Sequence, residues 1–233
     1  MSGTPAGDPP APRSEPDAPG VLTPDDLPPD PGALVDLLAR ALARRHDRLP
    51  PDPGRDGPEL DASDALDRAR HAVASGWTPH SGSPFERVEP ARLLDALDAG
   101  LERVRARSNP PVPTIGRARF SNLALPRADT AEPLVATAAN IRLHRRSAGR
   151  PSAQFRLEDR AAVADPHRDL AVAAADVVST FGPGAVPAFL DAYSRARHRS
   201  DGSEVVDPIL LDWWSMIAAI VEDDRDHHVG EEP

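Results

Sequence analysis

Several groups of side chains in this chain are of types that perform chemistry, and each also has a plainer use. Asp165 and Asp169 stand on either side of Pro166 at a predicted helix start. In the plainer use Asp165 caps that helix and Asp169 favours its positive first turn. Asp226-His227-His228 has the types of a metal site but sits in an acidic stretch with almost no apolar side chain, and reads as solvated tail. Arg142, Arg145, Arg146 and Arg150 suit a phosphate or an acidic partner, and equally keep a surface loop in water. Trp213-Trp214 with Asp212 could line a cleft, although the helical spacing with Leu210, Ile217 and Val221 reads as core packing. Neither a Ser-His-Asp spacing nor GxSxG points to hydrolase chemistry, and no GxxxxGK[ST] or GxGxxG offers a phosphate cradle.

The composition narrows the partners. Asp and Glu number 37 against 27 Arg and Lys, for a formal charge of -10, and there is no lysine, so every positive side chain of this class is an arginine. Such acidity argues against nucleic-acid binding, which depends on clustered positive charge, and tolerates a cationic ligand. The absence of cysteine excludes a disulfide framework, a thiolate metal site and a cysteine nucleophile. No basic segment followed by an apolar one opens the sequence, and no apolar run approaches the ~20 residues that span a bilayer. The expectation is a soluble, cytoplasmic protein with no membrane partner.

These side chains need elements to position them. Residues 1–31 hold ten prolines among Gly, Ser, Asp and Glu and read as a disordered tail, as do the acidic residues 222–233. One domain, residues 32–221, is left between. Asp30-Pro31, Glu89-Pro90, Asp165-Pro166 and Asp207-Pro208 each place an acidic residue before a proline suited to the first helical position. The first helix carries Leu34, Leu38, Ala41, Leu42 and Arg45 on one stripe and stops near Pro50-Pro51. A second runs from Asp61 or Ser63 to Gly76, and a third carries Leu93, Leu94, Leu97, Leu101 and Val104. Residues 166–180, a segment around Val186 to Tyr193, and Ile209 to Val221 complete the helices. Leu38, Leu42, Leu94, Leu97, Leu101, Leu170, Val177, Phe189 and Leu211 are the expected core. Between Val135 and Leu143, and again at Phe155 and Leu157, apolar and polar residues alternate, which predicts two strands joined as a hairpin across Ser147-Ala148-Gly149-Arg150-Pro151. Arg119 to Leu125 reads as a further short strand. The fold class expected is mainly α with a small β-hairpin.

Ala162-Val163-Ala164-Asp165-Pro166-His167-Arg168-Asp169-Leu170-Ala171 is similar to the GDPxxDLA segment of the aminoglycoside phosphotransferases, a family related to choline kinases and protein kinases. Leu38 to Pro50 resembles that family's LxxLHxLP helix, and Phe181-Gly182 with Phe189 to Tyr193 resembles its next helix. The resemblance implies the helical C-terminal lobe of a protein-kinase-like fold. It also implies a scaffolding role for Asp169 that survives loss of catalysis, since the family's aspartate there hydrogen-bonds the backbone of the catalytic loop.

In that family the catalytic loop, HGDxxxxN, supplies an aspartate that orients or deprotonates the attacking hydroxyl and an asparagine that holds magnesium. Two registers fit. Ile115-Gly116-Arg117-Ala118-Arg119-Phe120-Ser121-Asn122 keeps the glycine and asparagine but has Arg117 at the aspartate. The other, preferred for its distance to the next motif, makes Asn140 the asparagine and puts Val135 at the aspartate. The family's metal-binding aspartate aligns with Arg156 or Leu157, and an arginine there repels magnesium; Glu158 and Asp159 are close enough to be considered as substitutes. The family's phosphate-pairing lysine has no counterpart, and too few residues precede Gly32 for the nucleotide-binding lobe. The resemblance thus implies a non-catalytic relative that binds a protein or a cationic small molecule without cofactor or metal. Its alternative is a working phosphotransferase using ATP and magnesium on shifted carboxylates among Glu158, Asp159, Asp165 and Asp169, or on a lobe from another chain.

Overall fold

Acidic-proline pairs open three helices where the sequence predicts them. In this computed structural model, which describes residues 31–48, 57–81, 83–125, 134–135, 154–155, 161–197 and 205–221, α1 spans Pro31–His46, α3 Pro90–Arg107 and α6 Pro208–Val221, each starting on its proline. Helix α4 spans His167–Phe181 and begins one residue after Pro166. Between them lie α2, Ala62–Ala74, and α5, Val186–Ala196. Asp61 caps α2 by accepting the N–H groups of Ser63 and Asp64, while the Asp64 carboxylate returns a bond to the Asp61 N–H. Residues 1–30 and 222–233, the two expected tails, lie outside the described residues.

Among the described residues a small cluster, Leu60 with Ala162 and Ala164, sits on a short sheet, and the two larger parts of the core lie on either side of α4. On one side Leu34, Leu38 and Leu42 of α1, Leu170, Ala173 and Val177 of α4, and Phe189 and Tyr193 of α5 pack with Ile115, Ala118, Phe120 and Leu123. On the other, Leu66 of α2, Leu97 of α3, and Leu210, Trp213 and Trp214 of α6 pack with Ala171 of α4. Six of the nine residues expected in the core are buried; Leu94, Leu101 and Leu211 are half-buried at the margins of their stripes.

Six short strands form two three-stranded sheets among the described residues. Strand β6 (Ala162–Ala164) lies between β1 (Glu59–Leu60), parallel to it, and β2 (Val112–Thr114), antiparallel. In the second sheet β3 (Leu123–Leu125) is central, with β4 (Leu134–Val135) and β5 (Gln154–Phe155) antiparallel on its two edges. This corrects the expected hairpin. Val135 pairs with Ala124, and Phe155 with Leu123, so at the described residues the two segments meet through β3 and not with each other. Alternation marked the two segments as strands, which holds at Val135 and Phe155, but it carries no information about which neighbour each pairs with. The rest of the expected hairpin, residues 136–153 and Arg156–Leu157, lies outside the described residues.

Candidate functional site

The elements converge on one loop. Ile115 to Asn122 runs from the end of β2 through a short 3-10 turn, Phe120–Asn122, into β3. Ile115, Ala118 and Phe120 are buried as apolar anchors, and Phe120 meets Phe181 of α4 edge-on with centroids 5.5 Å apart. Gly116 adopts φ +80°, a conformation open to glycine at little cost. The Asn122 amide donates to the Arg117 carbonyl at 2.9 Å and closes the loop on itself. Arg117 and Arg119, between the anchors, are half-buried.

Asp169 holds the first two amides of this loop. The Ile115 N–H donates to its two carboxylate oxygens at 2.8 and 3.1 Å, and the Gly116 N–H donates at 2.8 Å. His46 Nε2, from the last residue of α1, lies 3.1 Å from the same carboxylate. Asp169 is fully buried, which raises a carboxyl pKa, but the bond from His46, the charge of Arg168 and the Gly116 N–H outweigh that and hold it below the ordinary value. Behind His46, Tyr193 Oη lies 2.8 Å from Nδ1, Arg197 donates to that oxygen at 3.3 Å, and Arg197 Nε donates to Asp47 at 3.0 Å.

Asp165 has a separate set of partners. One carboxylate oxygen accepts the His167 N–H at 2.9 Å and lies 2.7 Å from His167 Nδ1; the other accepts the Asn109 N–H at 2.8 Å. His167 Nε2 in turn accepts the backbone N–H of Asp207 at 2.9 Å, so the imidazole carries its proton on Nδ1. Asp165 thereby ties the segment after α3 to the start of α4 and, through His167, to the start of α6. Both oxygens of Asp165 and of Asp169 accept hydrogen bonds from this chain, so both carboxylates serve as structural anchors. Among the described residues no three His, Asp or Glu side chains gather as around a metal.

Of the other sequence candidates, Asn140, Glu158, Asp159, the four arginines from Arg142 to Arg150 and Asp226-His227-His228 lie outside the described residues. Trp213 and Trp214 are buried against each other, with Trp213 Nε1 donating to the Leu97 carbonyl at 3.0 Å, which makes them core. Asp212 beside them is exposed. Sequence reasoning did not single out His46, Tyr193 and Arg197 as one group. The available signal was a histidine and an arginine, Arg45-His46, closing an otherwise apolar stripe, because polar groups on a buried face require partners.

No protein-family model and no curated protein matches the chain. Solved structures do resemble it. The aminoglycoside phosphotransferase APH(3'')-Id from Streptomyces rimosus superposes with a TM-score of 0.50 at 17% identity, over 81% of this chain and 62% of that one. Its complex with ADP and streptomycin gives 0.51 at 18% identity, over the same shares of the two chains. An aminoglycoside-3'-phosphotransferase of type VIII gives 0.50 at 20% identity, over 87% of this chain and 66% of that one. At these identities the likeness is one of fold: the chain folds like the kinase-like aminoglycoside phosphotransferases and spans a little under two thirds of their length. No helix among the described residues is long and apolar enough to cross a membrane.

Proposed function

We propose that this protein is a pseudoenzyme of aminoglycoside phosphotransferase type, a non-catalytic module that binds a partner protein or a cationic small molecule. The observation that carries the reading is the place of Arg117. Asp169 belongs to the segment similar to GDPxxDLA, and the backbone it holds is that of Ile115 and Gly116. This favours the register in which Ile115-Gly116-Arg117 stands for His-Gly-Asp and Asn122 for the metal-holding asparagine. The register built on Asn140 is disfavoured, because it asks Val135, a strand residue paired with Ala124, to occupy the catalytic aspartate's place.

Phosphoryl transfer consists of positioning a nucleophile and neutralising charge on the phosphate, with carboxylates holding the metal. A guanidinium at position 117 accepts no proton from a hydroxyl and repels a divalent cation. Arg156 or Leu157 aligns with the metal-binding aspartate, and none of the 233 residues is a lysine to pair the nucleotide phosphates. The charge of -10 suits a cationic ligand.

Calorimetric titration with ATP and magnesium, joined to a phosphate-transfer assay over a panel of aminoglycosides, tests the reading. The expected result is no micromolar nucleotide binding and no turnover; the same panel titrated without nucleotide tests the cationic ligand. Micromolar nucleotide affinity with turnover abolished by Asp159→Ala overturns the pseudoenzyme reading. It would establish an ATP-dependent phosphotransferase working through shifted carboxylates.

A further inference from the structure

Five polar side chains from α1, α4, α5 and their ends form one unbroken series: Asp47, Arg197, Tyr193, His46 and Asp169. The inner three, Tyr193, His46 and Asp169, are fully buried, Arg197 is nearly so, and the Asp47 side chain is half-exposed. The inner end of the series is the carboxylate that holds the Ile115 and Gly116 amides.

The chemistry of the outer members fixes the direction of every bond. Arginine has donors only, so Tyr193 Oη accepts from Arg197. The single hydroxyl hydrogen of Tyr193 is then free to point at His46 Nδ1, 2.8 Å away. A proton on Nδ1 would leave that hydroxyl hydrogen facing two donors with no acceptor, a costly state in a buried site. Nδ1 therefore accepts, Nε2 carries the imidazole proton, and it is Nε2–H that meets the Asp169 carboxylate at 3.1 Å. Burial also holds the Tyr193 hydroxyl well above its ordinary pKa, against the pull of Arg197, so it keeps its proton.

We propose that Arg197 is a positioning residue for the Ile115–Gly116 loop: by donating to Tyr193 it turns the tyrosine hydroxyl hydrogen onto His46 Nδ1, and so holds the His46 ring with its Nε2–H on the Asp169 carboxylate that anchors the loop. The loop's geometry is thereby tied to a half-exposed ion pair, Asp47–Arg197, at the far end of α1 and α5. This coupling concerns the fold and holds whether or not the loop takes part in a reaction.

The test is nitrogen NMR of the full chain, with His46 assigned by His46→Gln, together with amide hydrogen exchange at Ile115 and Gly116. In the unsubstituted protein near pH 7.5, His46 is expected with Nε2 protonated and Nδ1 bare. Arg197→Met keeps the bulk and removes the donors. It is expected to keep Nε2 protonated, because the Asp169 carboxylate still requires a donor, but to shift the Nδ1 resonance as the Tyr193 hydroxyl loses its fixed direction, and to give about tenfold faster exchange of the two loop amides, the scale of one lost charge-assisted bond. Amides in the middle of α6 serve as the control and should not change. Asp47→Asn, at the exposed end, should fold in any case and shift both readouts in the same direction by less. A His46 protonated on Nδ1 in the unsubstituted protein overturns the proposal. So does an unchanged Nδ1 resonance with unchanged loop exchange in folded Arg197→Met, or in Asp47→Asn should Arg197→Met not fold.

Discussion

Asp169 and Asp176 lie seven residues apart on α4, two helical turns, and take hold of the two ends of a single loop. Asp169 accepts the N–H groups of Ile115 and Gly116, and Asp176 accepts that of Phe120 at 2.7 Å. One face of one helix therefore dictates the course of the loop. The two carboxyls are nonetheless in opposite electrostatic situations. Burial acts upward on both, but at Asp169 the bonds and charges around it win, while at Asp176 burial outweighs the Phe120 N–H and Arg119 and leaves the pKa raised.

Asparagine substitutions should separate the two. Asp169→Asn loses the charge that satisfies three donors and turns an amide toward some of them, so a loss of about 3 kcal/mol is expected in denaturant melts. Asp176→Asn still offers an oxygen to the Phe120 N–H and no longer buries a charge, so its effect at pH 7 should stay within about 1 kcal/mol. Equal losses from the two would show that the loop is not held as described.

The same contrast should appear on acidification. With its folded pKa below the ordinary value of about 3.9, Asp169 contributes stability that is present above that pH and is lost as pH falls through the folded pKa. Asp176 has the opposite sign: its contribution is present below about pH 4 and is lost as pH rises through its raised folded pKa. The deficit of Asp169→Asn should thus shrink below pH 4, and Asp176→Asn should gain on the unsubstituted protein between pH 4 and 7. Denaturant melts across that range check both directions.

Truncating Leu38, Leu42, Leu97 or Leu170, all fully buried, to alanine should cost about 2 to 5 kcal/mol each. The half-buried Leu94, Leu101 and Leu211 should cost less, because water already reaches part of each side chain. Melting curves that rank the two groups the other way would mean that the helix faces are rotated.

The helices were legible because their punctuation is local. Proline at a first helical position and leucine at three-to-four spacing need no knowledge of distant neighbours, and Pro31, Pro90 and Pro208 open helices as read. The strands β1, β2 and β6 were not identified as strands, since two or three residues are too few to show a period of two. Asp169 was visible in the sequence as a first-turn acid, and only the resemblance gave it a partner in the backbone. That the partner is Ile115 and Gly116, more than fifty residues earlier, depends on how β2 enters the core. The relay behind His46 joins residues about 150 positions apart, and no local pattern encodes such a pairing.

Two glycines offer a test of backbone conformation separate from packing. Gly57 and Gly76 both have positive φ, +86° and +96°. At Gly76 an added Cβ meets nothing within 4 Å, so Gly76→Ala should cost only the strain of that conformation, about 1 kcal/mol. At Gly57 the Cβ would fall 2.0 Å from the Ala161 carbonyl oxygen, and Gly57→Ala should cost clearly more by pushing β1 from β6. Thermal melts of the two variants, with equal shifts, would contradict the close approach at Gly57.

The parallel pairing of β1 with β6 also constrains the order of assembly. Glu59 meets Val163 and Leu60 meets Ala164, partners about a hundred residues apart in the chain. Closing so long a loop costs entropy that two short strands return only in small part. Helices α2 and α3, near neighbours in sequence that pack on each other, carry no such cost and can associate first. The small sheet should be among the last pieces to form and among the first to open, so slow refolding phases and early proteolysis should both report on the seam at Gly57 to Leu60.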